Sequence, residues 1–325
     1  MVIIHHFFPE YKLGDFFLGR IGVDIFFVIS GYLITAILLE QKAAIASKFL
    51  IIKNFIIKRA LRLFPIYYLF ITVFLILMYF FGLYVWDPGD EIYYYTYTQN
   101  ILFFKEGMKG VQVNHLWTLS VEEQFYLLWP WLVIFVPNKK LIWGLLFVIP
   151  LTLFFKSFSG IENLRMLTIS HFDTLGGGAM FALLIKESKE KYLQLVKRTK
   201  LLTLLVSLAV LVAGILYKVP LMLTSCSILG LSISLLAGCY YGFEGVFGRV
   251  LNIPQLNYLG KISYGLYLYH KPIPFFVNLL LDKAKIHLNG FVLFAFSIFL
   301  TVLIAHISYQ AIEKRFLRLK DRFDL

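Results

Sequence analysis

Two adjacent carboxylates lie at the start of an apolar stretch. Carboxylates of this kind can take part in acid–base chemistry. Glu122 and Glu123 lie in NHLWTLSVEEQFYLLWPWLVIF (114–135), which continues into a long apolar run. A charged side chain in the hydrocarbon region is costly unless it is paired or faces water, so the pair is a candidate functional site. Compensation of the helix dipole, with Ser120 as the N-cap, also explains an acid there. That alternative explains less well the polar and aromatic residues around the pair, which are His115, Trp117, Gln124 and Tyr126.

A histidine pair near the start of the chain offers a base for such chemistry. His5 and His6 precede Pro9 at the outer end of the first apolar segment. Histidine suits general acid–base work near neutral pH, and a carboxylate is the usual group that orients it. We therefore expect one histidine of this pair to be related to Glu122 or Glu123. Since adjacent helical residues point about 100° apart, one acid is expected to face the site and the other a structural partner.

Other ionisable residues within apolar segments have differing interpretations. Asp24 is expected to pair with Arg20, its neighbour four residues earlier on a helix. His306 has apolar neighbours and is interpreted as a core histidine. His171 and Asp173 precede a GGG run, where a helix can pack closely, and both a structural and a functional role are open for them.

A basic cluster follows in KNFIIKRALRLFP (53–65). Lys58, Arg59 and Arg62 fall within about one helical turn. Anchoring to anionic lipid on the cytoplasmic side, opposite the acid pair, accounts for most clusters of this kind. The functional alternative is a phosphate site, because arginine presents a fork that matches phosphate oxygens.

Composition identifies the class of protein that carries these residues. The chain has 325 residues, of which 59% are hydrophobic and 15% charged, and its mean hydropathy is +0.77. Apolar runs of about 20 residues recur, which predicts an all-α, polytopic transmembrane helix bundle forming one domain over 1–325. Cys226 and Cys239 lie in apolar segments and indicate neither a disulfide framework nor a metal site. The net charge of +12 is interpreted as setting loop orientation, and no nucleic-acid partner is expected.

We predict about ten spans, the first of them the second half of a helix, over 1–9, whose first half is missing from this chain. A short interfacial segment is the alternative for 1–9. The other spans are expected at 18–40, 65–86, 116–136, 141–155, 167–186, 201–217, 219–240, 257–281 and 290–312. The aromatic segment 91–104 is short and polar in its middle, and we expect it on the extracytoplasmic side as an interfacial or re-entrant element.

Positive charge predicts the orientation of these spans. Three basic clusters stand out, at 42–62, 186–200 and 314–322. They fall on the same side if 91–104 does not cross, and an excess of Lys and Arg belongs in the cytoplasm. Both termini, including the basic tail 313–325, are therefore expected in the cytoplasm, and 87–115 on the extracytoplasmic side.

Several stretches, taken together and in order, resemble one family. They are GRIGVDIFFVISGYLIT (19–35), KRALRLFP (58–65), LWTLSVEEQFYLLWP (116–130), HFDTLGGGAMFAL (171–183), LGKISYGLYLYHKPI (259–273) and YQAIEKRF (309–316). They resemble the membrane acyltransferase-3 family, the integral-membrane O-acyltransferases of surface and cell-envelope glycans. The resemblance covers essentially the whole chain, and FFVISGYLIT and SVEEQFYLLWP are its most specific parts.

This resemblance implies transfer of an acyl group, usually acetyl from cytoplasmic acetyl-CoA, to a sugar hydroxyl on the far side of the membrane. Two groups of residues carry over: catalytic His6 (with His5 as its alternative), Glu122 and Glu123, and acyl-CoA-binding Lys58, Arg59 and Arg62. Further candidate site residues are Asp24, Ser30, His115, Trp117, Ser120, Gln124, Tyr126, His171, Asp173, Tyr267 and His270. No metal and no tightly bound cofactor are expected, with acetyl-CoA or another acyl-CoA as co-substrate.

The chain departs from the family pattern at two positions. An arginine early in the family's first helix has no counterpart, because Met1 lies after that point. His171 stands where the family often has arginine. In addition, no stretch resembles the C-terminal esterase-like domain that some relatives carry.

The resemblance implies a bacterial cytoplasmic membrane as the location, with the lipid bilayer and a glycan acceptor (lipopolysaccharide, exopolysaccharide or another envelope sugar) as partners. Two alternatives stay open. A transporter or flippase of a polyprenyl-linked glycan also uses intramembrane histidine and glutamate, although inverted repeats, frequent in transporters, are not found here. The other alternative is a non-catalytic sensor or assembly subunit.

Overall fold

The computed structural model describes residues 17–43, 47–83, 87–187, 189–217, 221–241 and 253–323. Throughout these ranges the regular structure is helical, and they contain no strand. The predicted all-α fold is therefore confirmed. His5, His6 and the half-helix predicted over 1–9 lie outside the described residues.

The described helices follow closely on one another along the chain. They are α1 (Phe17–Lys42), α2 (Lys48–Phe80), α3 (Glu91–Tyr95), α4 (Gln99–Glu106), α5 (Trp117–Phe135), α6 (Asn138–Phe158), α7 (Thr174–Glu187), α8 (Lys189–Tyr217), α9 (Leu221–Tyr241), α10 (Pro254–Lys261), α11 (Ser263–Tyr269), α12 (Pro272–Ala284), α13 (Gly290–Ser308) and α14 (Lys314–Arg318). Short 3-10 turns lie at Asn114–Leu116, Leu164–Met166, Thr168–His171 and Leu319–Phe323, and a π-helical turn lies at Tyr309–Glu313.

Several of these helices have the length and composition of membrane spans. Within the described residues, four helices are long and apolar enough to cross a bilayer: Gly19–Lys42, Lys48–Phe80, Asn138–Phe158 and Gly290–Phe323. Two shorter apolar helical stretches are Leu202–Ala213 and Met222–Ala237. The helices support the predicted membrane protein, whereas the number of about ten spans stays a prediction.

Helix α2 begins much earlier than the predicted span 65–86. Its 33 residues start at Lys48 and continue through Pro65. The side chains buried on its first turns are Ile51, Ile52, Asn54 and Phe55. Burial of this face explains the early start, because packing extends a helix beyond the stretch that hydropathy alone marks. The basic cluster at 58–62 therefore lies inside a long helix and not at its end.

The segment 91–104, expected as an interfacial or re-entrant element, forms the short helices α3 and α4, of five and eight residues. Neither is long enough to cross a bilayer. Tyr67 donates to the Tyr94 carbonyl oxygen at 2.9 Å, and Gln99 donates to the Leu116 carbonyl oxygen at 2.8 Å. These bonds hold the two short helices against α2 and against the start of α5.

The predicted span 257–281 is broken into α10, α11 and α12. The breaks fall at Ile262 and at His270 and Lys271. Pro272 explains the second break, because proline has no N–H with which to continue the backbone hydrogen bonds of α11. His270 is fully buried at this break, so the interruption places an imidazole in the interior of the bundle.

Helices α1 and α7 pack with their backbones in close approach. A Cβ atom at Gly31 would overlap the Leu175 carbonyl oxygen, and one at Gly178 would overlap the Val28 carbonyl oxygen. Gly178 belongs to the GGG run, so the predicted close packing of this run is found. The contact holds α1 in the interior and keeps Ser30 buried.

We expect Gly178→Ala to lower the free energy of unfolding by about 3 kcal/mol, the upper end of overpacking costs. The clash is with a backbone oxygen, which cannot rotate away as a side chain does, so the two helices must separate. Thermal unfolding of the detergent-solubilised protein, followed by tryptophan fluorescence, measures the effect. Gly144→Ala on α6 is the control, because a Cβ there meets nothing within 4 Å. Equal unfolding temperatures for the two variants would contradict the prediction.

Candidate functional site

One face of α5 carries a row of buried polar side chains. Thr118, Glu122 and Tyr126 are spaced four residues apart, so they lie one above another on the helix. Tyr126 donates to Glu122 Oε1 at 3.0 Å, and its hydroxyl oxygen lies 2.5 Å from Ser30 Oγ on α1. The structure thus brings together Ser30, from the motif at 19–35, with Glu122 and Tyr126, from the motif at 116–130.

Arg59 reaches this row from α2. The guanidinium carbon lies 5.5 Å from the ring centres of both Tyr126 and Phe55, within range of cation–π attraction. Arg59 is also in electrostatic contact with Glu122 and Glu123. A cation of the predicted phosphate site and the predicted catalytic acids therefore belong to one cluster.

This contact places Arg59 beside the acids, whereas the sequence led us to expect the basic cluster and the acids on opposite sides of the membrane. Lys48 Nζ lies 5.3 Å from the centre of the Phe135 ring, so α2 begins beside the end of α5 and runs antiparallel to it. Arg59 is eleven residues beyond Lys48, and Tyr126 is nine residues before Phe135. At 1.5 Å per residue the two side chains are almost level.

Glu123 has different neighbours, because its side chain points about 100° away from that of Glu122. It interacts electrostatically with Tyr67, Tyr97 and Tyr264. Its Oε1 atom is buried and has no hydrogen-bond partner among the described residues. The two acids therefore have different surroundings, as predicted. Glu122 faces α1 and Arg59, whereas Glu123 faces the tyrosines.

A cavity of about 310 Å³ lies one helical turn beyond Glu122, next to Thr118. Its lining residues include Arg20, Asp24, Met108, Asn114, His115, Trp117, Thr118, Arg165, His171, Tyr267 and Lys271. Five of the candidate residues from the sequence thus share one cavity wall. A second, larger cavity of about 550 Å³ between α2, α12 and α13 has no charged residue in its lining, which is apolar apart from Tyr269.

Aromatic and imidazole groups from α5 and α11 meet at the cavity wall. Thr118 Oγ1 lies 2.5 Å from Tyr267 Oη, and Tyr267 donates to the His115 carbonyl oxygen at 2.9 Å. The His115 and His270 rings are 4.6 Å apart, and His270 Nδ1 is 2.6 Å from the Tyr267 carbonyl oxygen. These contacts fix the position of the wall relative to the acid below it.

Buried charges surround the other side of the cavity. Arg20 and Asp24 form the predicted pair, with Arg20 Nε 3.5 Å from Asp24 Oδ2. Lys156 and Asp173 form a buried ion pair at 2.8 Å. Burial and the neighbouring charge of Arg20 lower the pKa of Arg165, in the loop before α7, to about 10. At that pKa the guanidinium stays positively charged at neutral pH.

His171 and Asp173 have separate partners, although they are two residues apart. His171 Nε2 lies 2.7 Å from the Arg165 carbonyl oxygen, and its ring centre is 5.4 Å from that of Trp117. Asp173 binds Lys156 through Oδ2 and accepts the backbone N–H of Thr174 through Oδ1. Asp173 is therefore at the start of α7, while His171 belongs to the cavity wall.

Three sequence interpretations differ from the structure. Ser120 is not the N-cap of α5, because the helix begins at Trp117 and Ser120 is buried inside it. His306 is exposed rather than in the core, and its Nδ1 lies 2.8 Å from the Tyr258 hydroxyl oxygen. Gln124 points away from the cavity and donates to the Asn100 side chain and to the Tyr97 carbonyl oxygen, which ties α5 to α4.

Sequence reasoning missed Lys156, Arg165 and Lys271. Lys156 lies directly after the predicted span 141–155, but inside the longer helix α6. With the correct helix end, Lys156 would have been a charged residue within a span and therefore a candidate functional residue. Arg165 and Lys271 lie in short connections, where a single cation is unremarkable. Lys271 donates to Asn114 Oδ1 at 2.7 Å at the mouth of the cavity.

An acidic group at the loop surface has its own cation. Asp87, Asp90 and Glu106 are close enough to one another to hold a metal ion, but Lys109 lies among them. Its ammonium group is 2.6 Å from Asp87 Oδ2 and also donates to Glu106. These hydrogen bonds raise the pKa of Lys109, and the lysine takes the place that a cation would occupy.

Comparison with known proteins gives both a family match and named relatives. A family model described as an acyltransferase domain matches residues 1–309. The chain is similar to the peptidoglycan O-acetyltransferase OatA of Listeria monocytogenes, with 29% identity over 96% of this chain and 53% of that protein. It is also similar to the O-acetyltransferase OatA of Staphylococcus aureus, with 27% identity over 96% of this chain and 54% of that protein.

A putative peptidoglycan O-acetyltransferase of Bacillus subtilis, YrhL, is 28% identical over 96% of this chain and 52% of that protein. The chain thus spans about half the length of the curated relatives that it matches. No solved structure matches it.

Proposed function

The chain belongs to the membrane acyltransferase-3 family, and from that premise we propose that it is a membrane-bound O-acetyltransferase. In this proposal an acetyl group moves from an acyl-CoA on the cytoplasmic side to a hydroxyl of an extracytoplasmic or lipid-linked glycan. The relatives that are named peptidoglycan O-acetyltransferases support a cell-wall glycan as the acceptor.

The observation that carries the proposal is the polar row on α5. Thr118 lines the cavity, Glu122 lies one turn below it, and Tyr126 lies one turn further, under Arg59. An acyl donor held by the cations and an acceptor held in the cavity would therefore approach the same buried carboxylate, Glu122, from opposite directions. Acyl transfer needs such proximity, because aligned reactants supply much of the rate enhancement.

The donor site is assigned to Lys58, Arg59 and Arg62. Arginine binds phosphate oxygens through two parallel N–H groups, and lysine adds a point charge. Arg62 is exposed and Arg59 is half-buried, so the cluster extends from the surface of the bundle toward Tyr126. A CoA molecule bound here by its phosphates would direct its thioester arm toward Glu122.

The acceptor site is assigned to the 310 Å³ cavity, whose size is at the low end for small-molecule sites. Trp117 and Tyr267 offer aromatic surface to a sugar ring, and Asn114 and Thr118 offer hydrogen bonds to its hydroxyls. Lys271 at the mouth adds a donor with a charge. This set suits one sugar unit of a longer glycan.

The reaction uses His6 as general base on the acceptor hydroxyl, with His5 as the alternative residue, and Glu122 orients or stabilises the imidazole. The hydroxyl oxygen forms a bond to the thioester carbonyl carbon, the C–S bond breaks, and the hydroxyl proton passes through histidine to the CoA thiolate. In the second route His6 takes the acetyl group first and then passes it to the sugar oxygen.

The proposed location is a bacterial cytoplasmic membrane, with both termini and the tail 313–325 in the cytoplasm and 87–115 outside. The basic residues at the start of α2 and at the end of the chain support this orientation, because cytoplasmic segments carry the excess of Lys and Arg. The cavity, beside the 87–115 segment, is then extracytoplasmic.

Transfer of labelled acetyl tests this function directly. The full chain is reconstituted into liposomes with acetyl-CoA labelled in the acetyl group inside and cell-wall glycan fragments outside. We expect labelled glycan that depends on acetyl-CoA and is unaffected when ion gradients are collapsed. Movement of unmodified glycan that depends on an ion gradient, without labelling, would support the transporter instead and contradict the proposal.

A further inference from the structure

The C-terminal segment Tyr309–Phe323 is folded against the first half of α2. Asn54 on α2 donates to the Phe323 carbonyl oxygen at 3.1 Å. The segment consists of a π-helical turn, the short helix α14 and a final 3-10 turn. It includes the stretch YQAIEKRF, to which the proposed function gives no role.

This arrangement places Lys320 beside the basic cluster of α2. Lys320 interacts electrostatically with Lys58, Arg59 and Arg62. Within the described residues, neither Arg59, Arg62 nor Lys320 forms an ion pair with a carboxylate. Cations gathered at close range repel one another, and an anion bound between them would relieve the repulsion.

Buried contacts hold the segment that carries Lys320 in place. Glu313, in the π-helical turn, is 6% exposed, and its Oε1 lies 3.4 Å from the donor Ser308 Oγ. Ser308 Oγ in turn accepts from the Tyr269 hydroxyl at 3.1 Å. Glu313 is also in electrostatic contact with Arg62. Since π-helical turns are rare and occur frequently at functional sites, the turn is consistent with a positioning role.

We propose that Lys320 is the fourth cation of a site for an organic polyphosphate, formed with Lys58, Arg59 and Arg62. The ligand class is a molecule with several phosphate groups, such as the phosphorylated end of coenzyme A. This inference rests on the proposed function, because it adds a residue from the C-terminal segment to the donor site. The shared chemistry is phosphate binding, which an anionic lipid headgroup also provides, so the test separates the two.

Direct binding of coenzyme A, without turnover, tests the assignment. The full chain is purified in a detergent free of anionic lipid and titrated with coenzyme A by calorimetry. We expect Lys320→Gln to weaken binding about tenfold, since one charge-assisted hydrogen bond is lost. Lys320→Arg retains the affinity because it retains the charge. Lys314→Gln, at an exposed lysine of the same segment, leaves the affinity unchanged.

A second titration uses pantetheine, which has the thiol arm of coenzyme A and no phosphate. Its affinity is expected to be the same for the wild-type chain and for Lys320→Gln. Coenzyme A binding that is equal in both would overturn the role of Lys320 and leave the proposed donor intact. Failure of the wild-type chain to bind coenzyme A would overturn the inference and the proposed donor together.

Anionic lipid is tested with vesicles that contain phosphatidylglycerol. If Lys320→Gln binds these vesicles less well than the wild-type chain and binds coenzyme A equally well, the cation serves the membrane surface and the inference is overturned. Equal vesicle association with weakened coenzyme A binding supports it. Thermal unfolding of each variant shows that the comparison is made on folded protein.

Discussion

Glu122→Gln is expected to lower acetyl transfer about 10²- to 10⁴-fold, the range for loss of a group that takes part in general acid–base catalysis. Glutamine has nearly the same shape, and its side-chain oxygen still accepts the hydrogen bond that Tyr126 donates to Glu122 at 3.0 Å. The substitution removes the charge that would stabilise a protonated imidazole. Rates of labelled acetyl transfer at saturating acetyl-CoA measure the loss. The KM for acetyl-CoA is expected to change little, since Arg59 stays in place.

Glu123→Gln is the matched control, because it removes an equally buried charge from the adjacent position. Glu123 faces Tyr67, Tyr97 and Tyr264 and lies off the row that joins the cavity to Arg59. Its replacement is therefore expected to reduce transfer by less than about tenfold. If the losses of the two variants were equal, or in reverse order, the assignment of Glu122 to the reaction would be wrong.

A combined variant distinguishes a shared proton path from two independent effects. His6→Ala is expected to remove transfer to a similar extent, and His5→Ala to have a mild effect. If His6 and Glu122 act as a unit, adding Glu122→Gln to His6→Ala costs little more, because residues of one catalytic unit are strongly non-additive. Additive losses would mean that His6 and Glu122 act independently.

The helical membrane fold and the family could be predicted from sequence, because both depend on local features. Apolar runs predict membrane spans without knowledge of tertiary contacts. The family is likewise recognised from the order of short motifs along the chain. The two residues of the acid pair could likewise be assigned different surroundings, since the rotation between adjacent helical residues is constant. The structure adds which acid faces which partner.

The depth of Arg59 could not be predicted in the same way. The cluster was expected at a membrane surface, because the predicted span began at residue 65 and an excess of Lys and Arg belongs in the cytoplasm. The position of Arg59 depends instead on the pairing of α2 with α5, which begins where Lys48 lies against Phe135. Pairing between helices is a tertiary property and leaves no local signal.

The ion-pair partner of Asp173 could not be predicted from sequence for the same reason. The aspartate was a candidate residue, but Lys156 belongs to another helix, and sequence alone gives no register between α6 and α7. The side chains of Lys156 and Asp173 are only 1% and 3% exposed, and Lys156 Nζ lies 2.8 Å from Asp173 Oδ2. A lysine near the end of an apolar helix suggests anchoring at the membrane interface, whereas here it neutralises a buried carboxylate.

Lys156→Met is expected to lower the free energy of unfolding by about 3–5 kcal/mol, the cost of leaving one partner of a buried ion pair uncompensated. Methionine retains most of the aliphatic volume, so the loss reports charge rather than packing. Thermal and denaturant unfolding in detergent measure the change. Lys139→Met, at an exposed lysine of the same helix, is expected to change stability by less than about 0.5 kcal/mol.

The double variant Lys156→Met with Asp173→Asn is expected to regain most of the lost stability, because no unpaired charge remains in the interior. Asparagine keeps a side-chain oxygen for the N–H of Thr174, a bond of 2.9 Å in the present structure. A double variant no more stable than Lys156→Met would mean that volume, and not charge, limits this site. Asp173 also interacts electrostatically with Asp24 at the cavity, so a double variant with restored stability and reduced acetyl transfer would assign the ion pair a second role in holding the acceptor site.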